Sequence, residues 1–307
     1  MKILITGGSG LVGHGIQNNI YLYPHHEFIF SSSKDVNLCN EEQTLEYIKS
    51  LAPDAIIHLA SNVGGLFKNI RSKVEMFQDN LKMTMNVLEA ARRTGVQKVV
   101  SCLSTCIFPD KVTYPITEEM LHDGPPHWSN DGYAYAKRMI DVLSNSYRNQ
   151  YGCNFICVIP CNVYGTHDNF SLEDGHVIPA LIHQGYLAKQ RHQPLVVKGS
   201  GKPLRQFIHA DDLGKLILWS LLEYNEKDNI ILANDQEVSI GEIASYIANC
   251  YDVPIQFDTS KEDGQYKKTV SIEKLKSYLP ELVFEPMDKM LKETIDWFTK
   301  NYESVRK

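Results

Sequence analysis

Positive charge is not in excess in this sequence: 31 Lys and Arg stand against 37 Asp and Glu, a net charge of −6. No basic surface therefore advertises a nucleic acid or an anionic membrane, and an anionic substrate must be met by local cations. No apolar stretch approaches the ~20 residues of a membrane-spanning helix. The opening run Met1-Lys2-Ile3-Leu4-Ile5-Thr6 is too short for a secretory signal core, and no small-residue cleavage site follows it. Cys-x-x-Cys pairs are missing. The seven cysteines are odd in number, and Cys153, Cys157 and Cys161 fall on a stretch, 154–161, that reads as a buried strand. Such a strand would not splay them into a tetrahedral site, so no metal is expected. Free thiols in a reducing, cytoplasmic compartment are the simpler account. Repeats, linkers and low-complexity tracts are absent as well.

What remains is an ordinary globular composition, 43% hydrophobic and 22% charged over 307 residues, enough for one large α/β unit with a smaller appendage. Strand-length apolar runs alternate with amphipathic helical segments. Strands are expected at Lys2–Thr6, Glu27–Ser31, Ala55–Ala60, Lys98–Leu103 and 154–160, and helices at about 12–21, 71–94 and 133–150. This β-α-β alternation predicts a Rossmann-type, doubly wound parallel sheet. After residue 165 Gly and Pro punctuate shorter elements. Asp211–Leu222 reads as a helix with an Asp pair in N-cap position, and a Pro254–Phe257 strand lies among further helices. The expected division is 1–165 plus 208–235 for a cofactor domain, and 166–207 plus 236–307 for a smaller substrate-binding lobe.

Gly7-Gly8-Ser9-Gly10-Leu11-Val12-Gly13 follows the first strand and opens a helix. Glycines there let the backbone turn tightly and approach a pyrophosphate. The end of the second strand discriminates between cofactors. An Asp or Glu would accept from a ribose 2′-hydroxyl, but here the chain reads Ser31-Ser32-Ser33-Lys34. Ser33 and Lys34 suit a 2′-phosphate, which points to NADP(H), although Asp35 follows at once.

Tyr133 and Lys137 form a Tyr-x-x-x-Lys on a predicted helix, so phenol and ammonium share a face. A free tyrosine has a pKa of ~10, and a neighbouring cation would lower it. With 16 tyrosines in the chain, that spacing alone says little. Ser104 adds weight, because it follows the fourth strand at the carboxyl edge where parallel sheets form their ligand crevice. Its hydroxyl can polarise a carbonyl while Tyr133 delivers a proton.

The glycine loop, His58-Leu59-Ala60, Ser104 and the Tyr133/Lys137 pair together resemble the extended short-chain dehydrogenase/reductase family along the whole chain. Further segments narrow the resemblance to its GDP-4-keto-6-deoxy-D-mannose 3,5-epimerase/4-reductases, whose product is GDP-L-fucose. These are Val63-Gly64-Gly65, Ser104-Thr105-Cys106-Ile107-Phe108-Pro109, Asn162-Val163-Tyr164-Gly165, His167-Asp168-Asn169-Phe170, Gly175-His176-Val177-Ile178-Pro179 and Asp263-Gly264-Gln265-Tyr266-Lys267-Lys268. The resemblance implies that Ala60, Pro160, Cys161, Asn162, Val163, Lys137 and His176 line the cofactor. It also implies a homodimer joined through the helices at 71–94 and 133–150.

A simple ketoreductase needs only Ser104, Tyr133 and Lys137. Inverting the carbons beside a ketone needs two more groups, one to remove an α-proton and one to return a proton to the opposite face. A thiol with pKa ~8.5 serves as base if its surroundings depress it, and a histidine supplies the acid at neutral pH. The resemblance gives these roles to Cys106 and His176. A related dehydratase would carry Asp-Glu where this chain has Thr105-Cys106. By the same resemblance, Asn162, Gln184, Lys198, Arg205, Asp263 and Lys268 fall on positions that hold the substrate in the family. Two of them depart from the pattern, Gln184 replacing Lys or Arg and Lys198 replacing Trp. Two other readings stay open at this point: a relative acting on another nucleotide, and a non-catalytic NADP(H)-sensing regulator, which would have no use for the acid–base groups.

Overall fold

The computed structural model describes residues 1–260, 263 and 266–307; Gly264 and Gln265 of the expected substrate motif lie outside them. The runs Ile3–Ile5, Ala55–Ile57 and Phe155–Ile159 are buried on both faces, as in parallel strands covered by helices above and below. They belong to β1 (Lys2–Thr6), β3 (Ala55–His58) and β5 (Phe155–Pro160), with β2 (Glu27–Ser31) and β4 (Lys98–Cys102) completing the expected set. Between them run α1 (Leu11–Gln17), α2 (Glu41–Leu51), α3 (Leu66–Arg71), α4 (Lys73–Thr94) and α5 (Asp131–Tyr151). Then come β6 (Asn162–Tyr164), α6 (Val177–Arg191), β7 (Leu195–Lys198), β8 (Leu204–His209), α7 (Ala210–Leu222) and β9 (Ile230–Leu232). The chain ends with β10 (Glu237–Ser239), α8 (Ile240–Tyr251), β11 (Ile255–Asp258), α9 (Glu273–Tyr278) and α10 (Met287–Lys300).

The main sheet has the order β2-β1-β3-β4-β5-β9, and every pair is parallel. Side chains alternate across it. Ile3, Ile5 and Ile57 pack with Ile16 of α1 and with Leu213 and Ile217 of α7. Leu4 and Ile56 face the other way, onto Ile48 of α2 and Val87 and Leu88 of α4. His58 pins three elements from inside: its Nδ1 lies 2.8 Å from the Thr6 hydroxyl and its Nε2 lies 3.1 Å from that of Thr84. Burial pushes its pKa down to about 3, with the Lys137 charge adding to the effect, so the ring stays neutral.

Two local expectations are corrected. The first helix stops at Gln17 instead of about Tyr21, because the Asn19 side chain turns inward and donates to the carbonyls of Gly15 and Asp211 at 2.8 and 2.9 Å. The Asp pair does not cap α7. His209 does, its Nδ1 accepting from the Asp211 N–H at 3.2 Å, and both acids lie in the first turn, where they still favour the helix dipole. Helix α2, in a stretch that carried no expectation, buries only Thr44 and Ile48. Its capping signal was nonetheless present: the Asn40 side chain accepts from the Gln43 N–H at 2.9 Å.

A second core gathers Tyr164, Phe170, Ile182, Leu195, Phe207, Ile247 and Phe298, beneath the strand groups β10-β8-β6 and β11-β7. Val270, Ile272 and Leu275 leave this lobe and pack into the core of the main sheet. Gln206 fastens that crossing, donating to the Val270 carbonyl at 3.1 Å and accepting from its N–H at 2.8 Å. The crossing carries Lys268 towards the sheet.

Asp168 sits at the edge of the second core, fully buried. Its Oδ1 accepts from the Asn169 N–H at 2.7 Å, and its Oδ2 finds no partner among the described residues. Burial raises its pKa from 3.8 to about 7, with the Asn169 N–H and the Arg306 charge pulling the other way. Between those two values the folded state holds a proton that the unfolded chain releases. This contribution to stability is therefore present at acid pH and lost as pH rises towards about 7. Thermal midpoints measured across that range should fall for the wild type relative to Asp168→Asn, and parallel curves would contradict the assignment.

Candidate active site

The glycine loop is shaped by contacts that admit no side chain. Gly7 has φ +72°, and a Cβ on it would lie 2.7 Å from the Ala60 nitrogen; a Cβ on Gly13 would strike the Gly8 carbonyl. The loop is thereby drawn against the ends of β1 and β3. At Gly10 a Cβ would meet only the Gly7 oxygen, at 3.3 Å, so the backbone there faces open space where α1 begins, the cradle a pyrophosphate requires. At the end of β2, Asp35 turns back on its own strand. Its carboxylate accepts from the N–H and hydroxyl of Ser32 at 2.7 and 2.8 Å, and those bonds hold its pKa below the usual carboxylate range. Ser33 and Lys34 are left exposed beside it. The residues present fit a dinucleotide with a 2′-phosphate.

Ser104 ends the extended stretch after β4 and caps the following turn, Thr105–Ile107, accepting from the Cys106 N–H at 3.4 Å. Cys106 is half-buried. The surroundings do not depress the thiol as expected of a base: burial raises its pKa, and Lys268, the Ser104 hydroxyl and Lys137 offset only part of that. From α5, Tyr133 (9% exposed) and Lys137 (3%) reach the same place. Lys137 donates to the Cys102 carbonyl at 2.8 Å and lies 5.9 Å from the Tyr133 ring. The expectation that Lys137 depresses the Tyr133 pKa does not hold. Burial raises it, the nearby Cys106 adds to that, and only a hydrogen bond with the Ser61 hydroxyl opposes. A phenol so placed holds its proton at neutral pH.

His176 precedes α6 as its N-cap residue. It is exposed, and desolvation by the protein around it pushes its pKa down. Lys268 is likewise desolvated, which lowers its pKa; it lies within the fields of Cys106, Arg205 and Asp110. Arg205, on β8, donates to the Leu204 carbonyl at 2.7 Å. Ser104, Cys106, Tyr133, Lys137, Lys268 and Arg205 thus form one connected group.

The other expected substrate residues have different neighbours. Asn162 donates to the Gln206 carbonyl at 2.9 Å and ties β6 to β8. Asp263 accepts from the N–H and hydroxyl of Ser200 at 2.8 and 2.6 Å. Lys198 lies 5.3 Å from the Phe67 ring, and Gln184 is half-buried in α6. Pro160 ends β5 and Cys161 and Val163 come just after it at the carboxyl edge, where the Cys161 N–H donates to the Leu232 carbonyl at 3.2 Å. Burial raises the Cys157 and Cys161 thiols to about 12, so both remain protonated. Ser61 was missed, although its place just beyond β3, at the same edge as Ser104, was a usable signal. Its hydroxyl donates to the Asn80 side chain at 2.6 Å.

Residues 3–235 match the NAD dependent epimerase/dehydratase family. The chain is 51% identical to a GDP-L-fucose synthase of Dictyostelium discoideum over 311 residues, 99% of this chain and 97% of the relative. A probable GDP-L-fucose synthase of Drosophila melanogaster is 44% identical, with 100% and 99% covered. The chain belongs to this family. Its fold matches a crystal structure of a GDP-L-fucose synthetase from Naegleria fowleri bound to NADP, with TM-score 0.95, 44% identity, and 100% and 95% of the two chains covered. Within the NAD dependent epimerase/dehydratase family, then, the GDP-L-fucose synthases are the branch this chain shares over its whole length.

Proposed function

We propose that this chain is an NADP-dependent oxidoreductase and epimerase that converts GDP-4-keto-6-deoxy-D-mannose to GDP-L-fucose. The observation that carries this reading is the meeting of Cys106 with Ser104, Tyr133, Lys137 and Lys268 at the carboxyl edge of the sheet. A ketoreductase site is complete without a thiol, and a thiol within the fields of two lysines adds a group that becomes a base on losing its proton. NADPH, when bound along the glycine loop, supplies the hydride for C4. Ser104 polarises the C4 carbonyl, Tyr133 delivers the proton to its oxygen, and Lys137 holds the nicotinamide ribose. Cys106 takes the protons from C3 and C5, and His176 returns protons on the opposite face. Arg205 and Lys268 meet the pyrophosphate.

Two lobes serve these steps: 1–165 with 208–235 for the cofactor, and 166–207 with 236–307 for the sugar nucleotide, from which 270–275 crosses back. The site works in the cytoplasm, a reading supported by seven free cysteines. Among the described residues no helix is long and apolar enough to cross a membrane. The deciding assay is NADPH oxidation with a panel of 4-keto-6-deoxy sugar nucleotides. Turnover restricted to the GDP-linked sugar is expected, and equal turnover with another nucleotide would overturn the substrate assignment.

NADPH is expected to bind at least about tenfold more tightly than NADH, because a hydrogen bond to a charged group is worth about 1.5–3 kcal/mol. Fluorescence titration checks this, and Lys34→Ala should narrow the gap. Equal dissociation constants would remove the argument.

The enzyme acts as a homodimer. Val74 and Met85 on α4, and Tyr135 and Val142 on α5, are exposed along two helices packed side by side. Pairing that face with itself gives the commonest closed symmetry. Light scattering should report twice the 34.9 kDa chain mass; the monomer alone at micromolar concentration would contradict it.

A further inference from the structure

We infer that α3 and the Gly64-Gly65 turn before it are a clasp that sets the position of His176, with Gly65 and Asn69 as positioning residues. This rests on the acid role given above to His176. The chain after β3 and the loop before α6 come from different parts of the molecule and meet at Gly65. The Gly65 N–H donates to the Asp174 carbonyl at 2.8 Å. A Cβ on Gly65 would stand 2.5 Å from the Gly175 oxygen, in the peptide that joins Gly175 to His176. Gly65 has φ −68°, so an alanine there is unstrained in its own backbone and conflicts only with the loop it touches. The loop is also held from its own side, where the Ser171 hydroxyl accepts from the Asp174 N–H at 3.2 Å and the Gly175 N–H donates to the Ser171 carbonyl at 3.0 Å.

The other face of the clasp is fastened by Asn69. Its side-chain nitrogen donates to the Gly64 and Gly65 carbonyls at 2.7 and 3.0 Å, and it is buried to 8% exposure. One further contact spans the same gap, Arg71 to Asp174 at 3.2 Å, and Phe67 of α3 also meets Lys198 at the end of β7. The ion pair is exposed and contributes little by itself. The packing of Gly65 on Gly175 is different, because backbone against backbone leaves no side chain free to move aside. Proton return needs the imidazole within hydrogen-bond reach of a carbon above the cofactor lobe. The residue that carries it, however, starts a helix of the other lobe. The clasp fixes that distance.

The test uses Gly65→Ala, which displaces the loop, and Asn69→Leu, which releases the turn without changing charge. Two readouts are followed. The first is the His176 imidazole titration by NMR in the protein without substrate, assigned by difference against His176→Asn. In the wild type its midpoint should lie below that of an ordinary histidine, and in both variants it should move up as the ring becomes better solvated. The second is solvent-deuterium incorporation at C3 and C5, which should fall by up to about 10²-fold, the scale of a 1 Å misplacement, with C4 hydride transfer and the NADPH dissociation constant less affected. An unchanged His176 midpoint, or exchange and hydride transfer falling in equal proportion, overturns the inference. A wild-type enzyme that incorporates no deuterium refutes the epimerase reading, while the imidazole titration still judges the clasp.

Discussion

Tyr133→Phe is expected to lower C4 reduction by about 10²- to 10⁴-fold, the usual worth of a general acid, with NADPH affinity little changed. The substitution removes one oxygen from a ring that is 9% exposed and leaves its volume in place, so the core around α5 should stay packed. The lost atom is the one that meets Ser61 and lies in the field of Cys106. Burial keeps that phenol protonated at neutral pH, which suits a donor: it holds a proton until negative charge develops on the C4 oxygen. Lys137 keeps its bond to the Cys102 carbonyl in the variant, so the cofactor side of the site is intact. Single-turnover NADPH oxidation separates chemistry from binding. Turnover within threefold of wild type would place the donor elsewhere.

Cys106→Ser should nearly abolish proton exchange at C3 and C5 while hydride transfer persists. C4 needs a hydride and one proton, which NADPH and Tyr133 supply. C3 and C5 each need a proton removed and another returned, and neither group is placed to do both. Serine keeps the shape of cysteine but is a far weaker acid, so it forms a base far less readily than the thiol at any pH in the working range. The variant is then recognised by its product, the reduced but un-epimerised sugar. Reaction in deuterated water with label located by NMR is the measurement, and wild-type labelling of both carbons would sink the assignment.

The surroundings of the thiol add a pH signature. Burial raises its pKa and Lys268 is the largest influence pulling it down. Exchange should therefore climb with pH as the thiolate forms, and Lys268→Met should move that rise to higher pH. His176→Asn should impair exchange through the other proton.

Much of this protein is legible locally. The main strands are apolar runs, and burial on both faces follows from their composition, so β1, β2 and β5 fall within a residue of where the sequence puts them. The glycine loop is equally local, since its shape depends on residues that no Cβ-bearing side chain could replace. Tyr133 and Lys137 share a helix face by spacing alone, and Ser104 and Cys106 share a single turn. A short amphipathic helix such as α2, burying two residues, leaves too faint a period to read.

Contacts between distant segments are another matter, and there the tertiary structure decides. Sequence left Asp35 ambiguous; its bonds to Ser32 in the folded turn remove it from competition with a phosphate. Sequence put a cation beside Tyr133 and expected a lower pKa, but Lys137 turns to the Cys102 carbonyl and desolvation raises the phenol. His209 rather than an aspartate caps α7 because the cap depends on where β8 delivers its last side chain. Lys268 reaches Cys106 only because Gln206 fastens the crossing at Val270. Residue types and short spacings set the chemistry available to this chain; the meeting of two lobes, a matter of packing between residues far apart in sequence, sets which groups can act on one substrate.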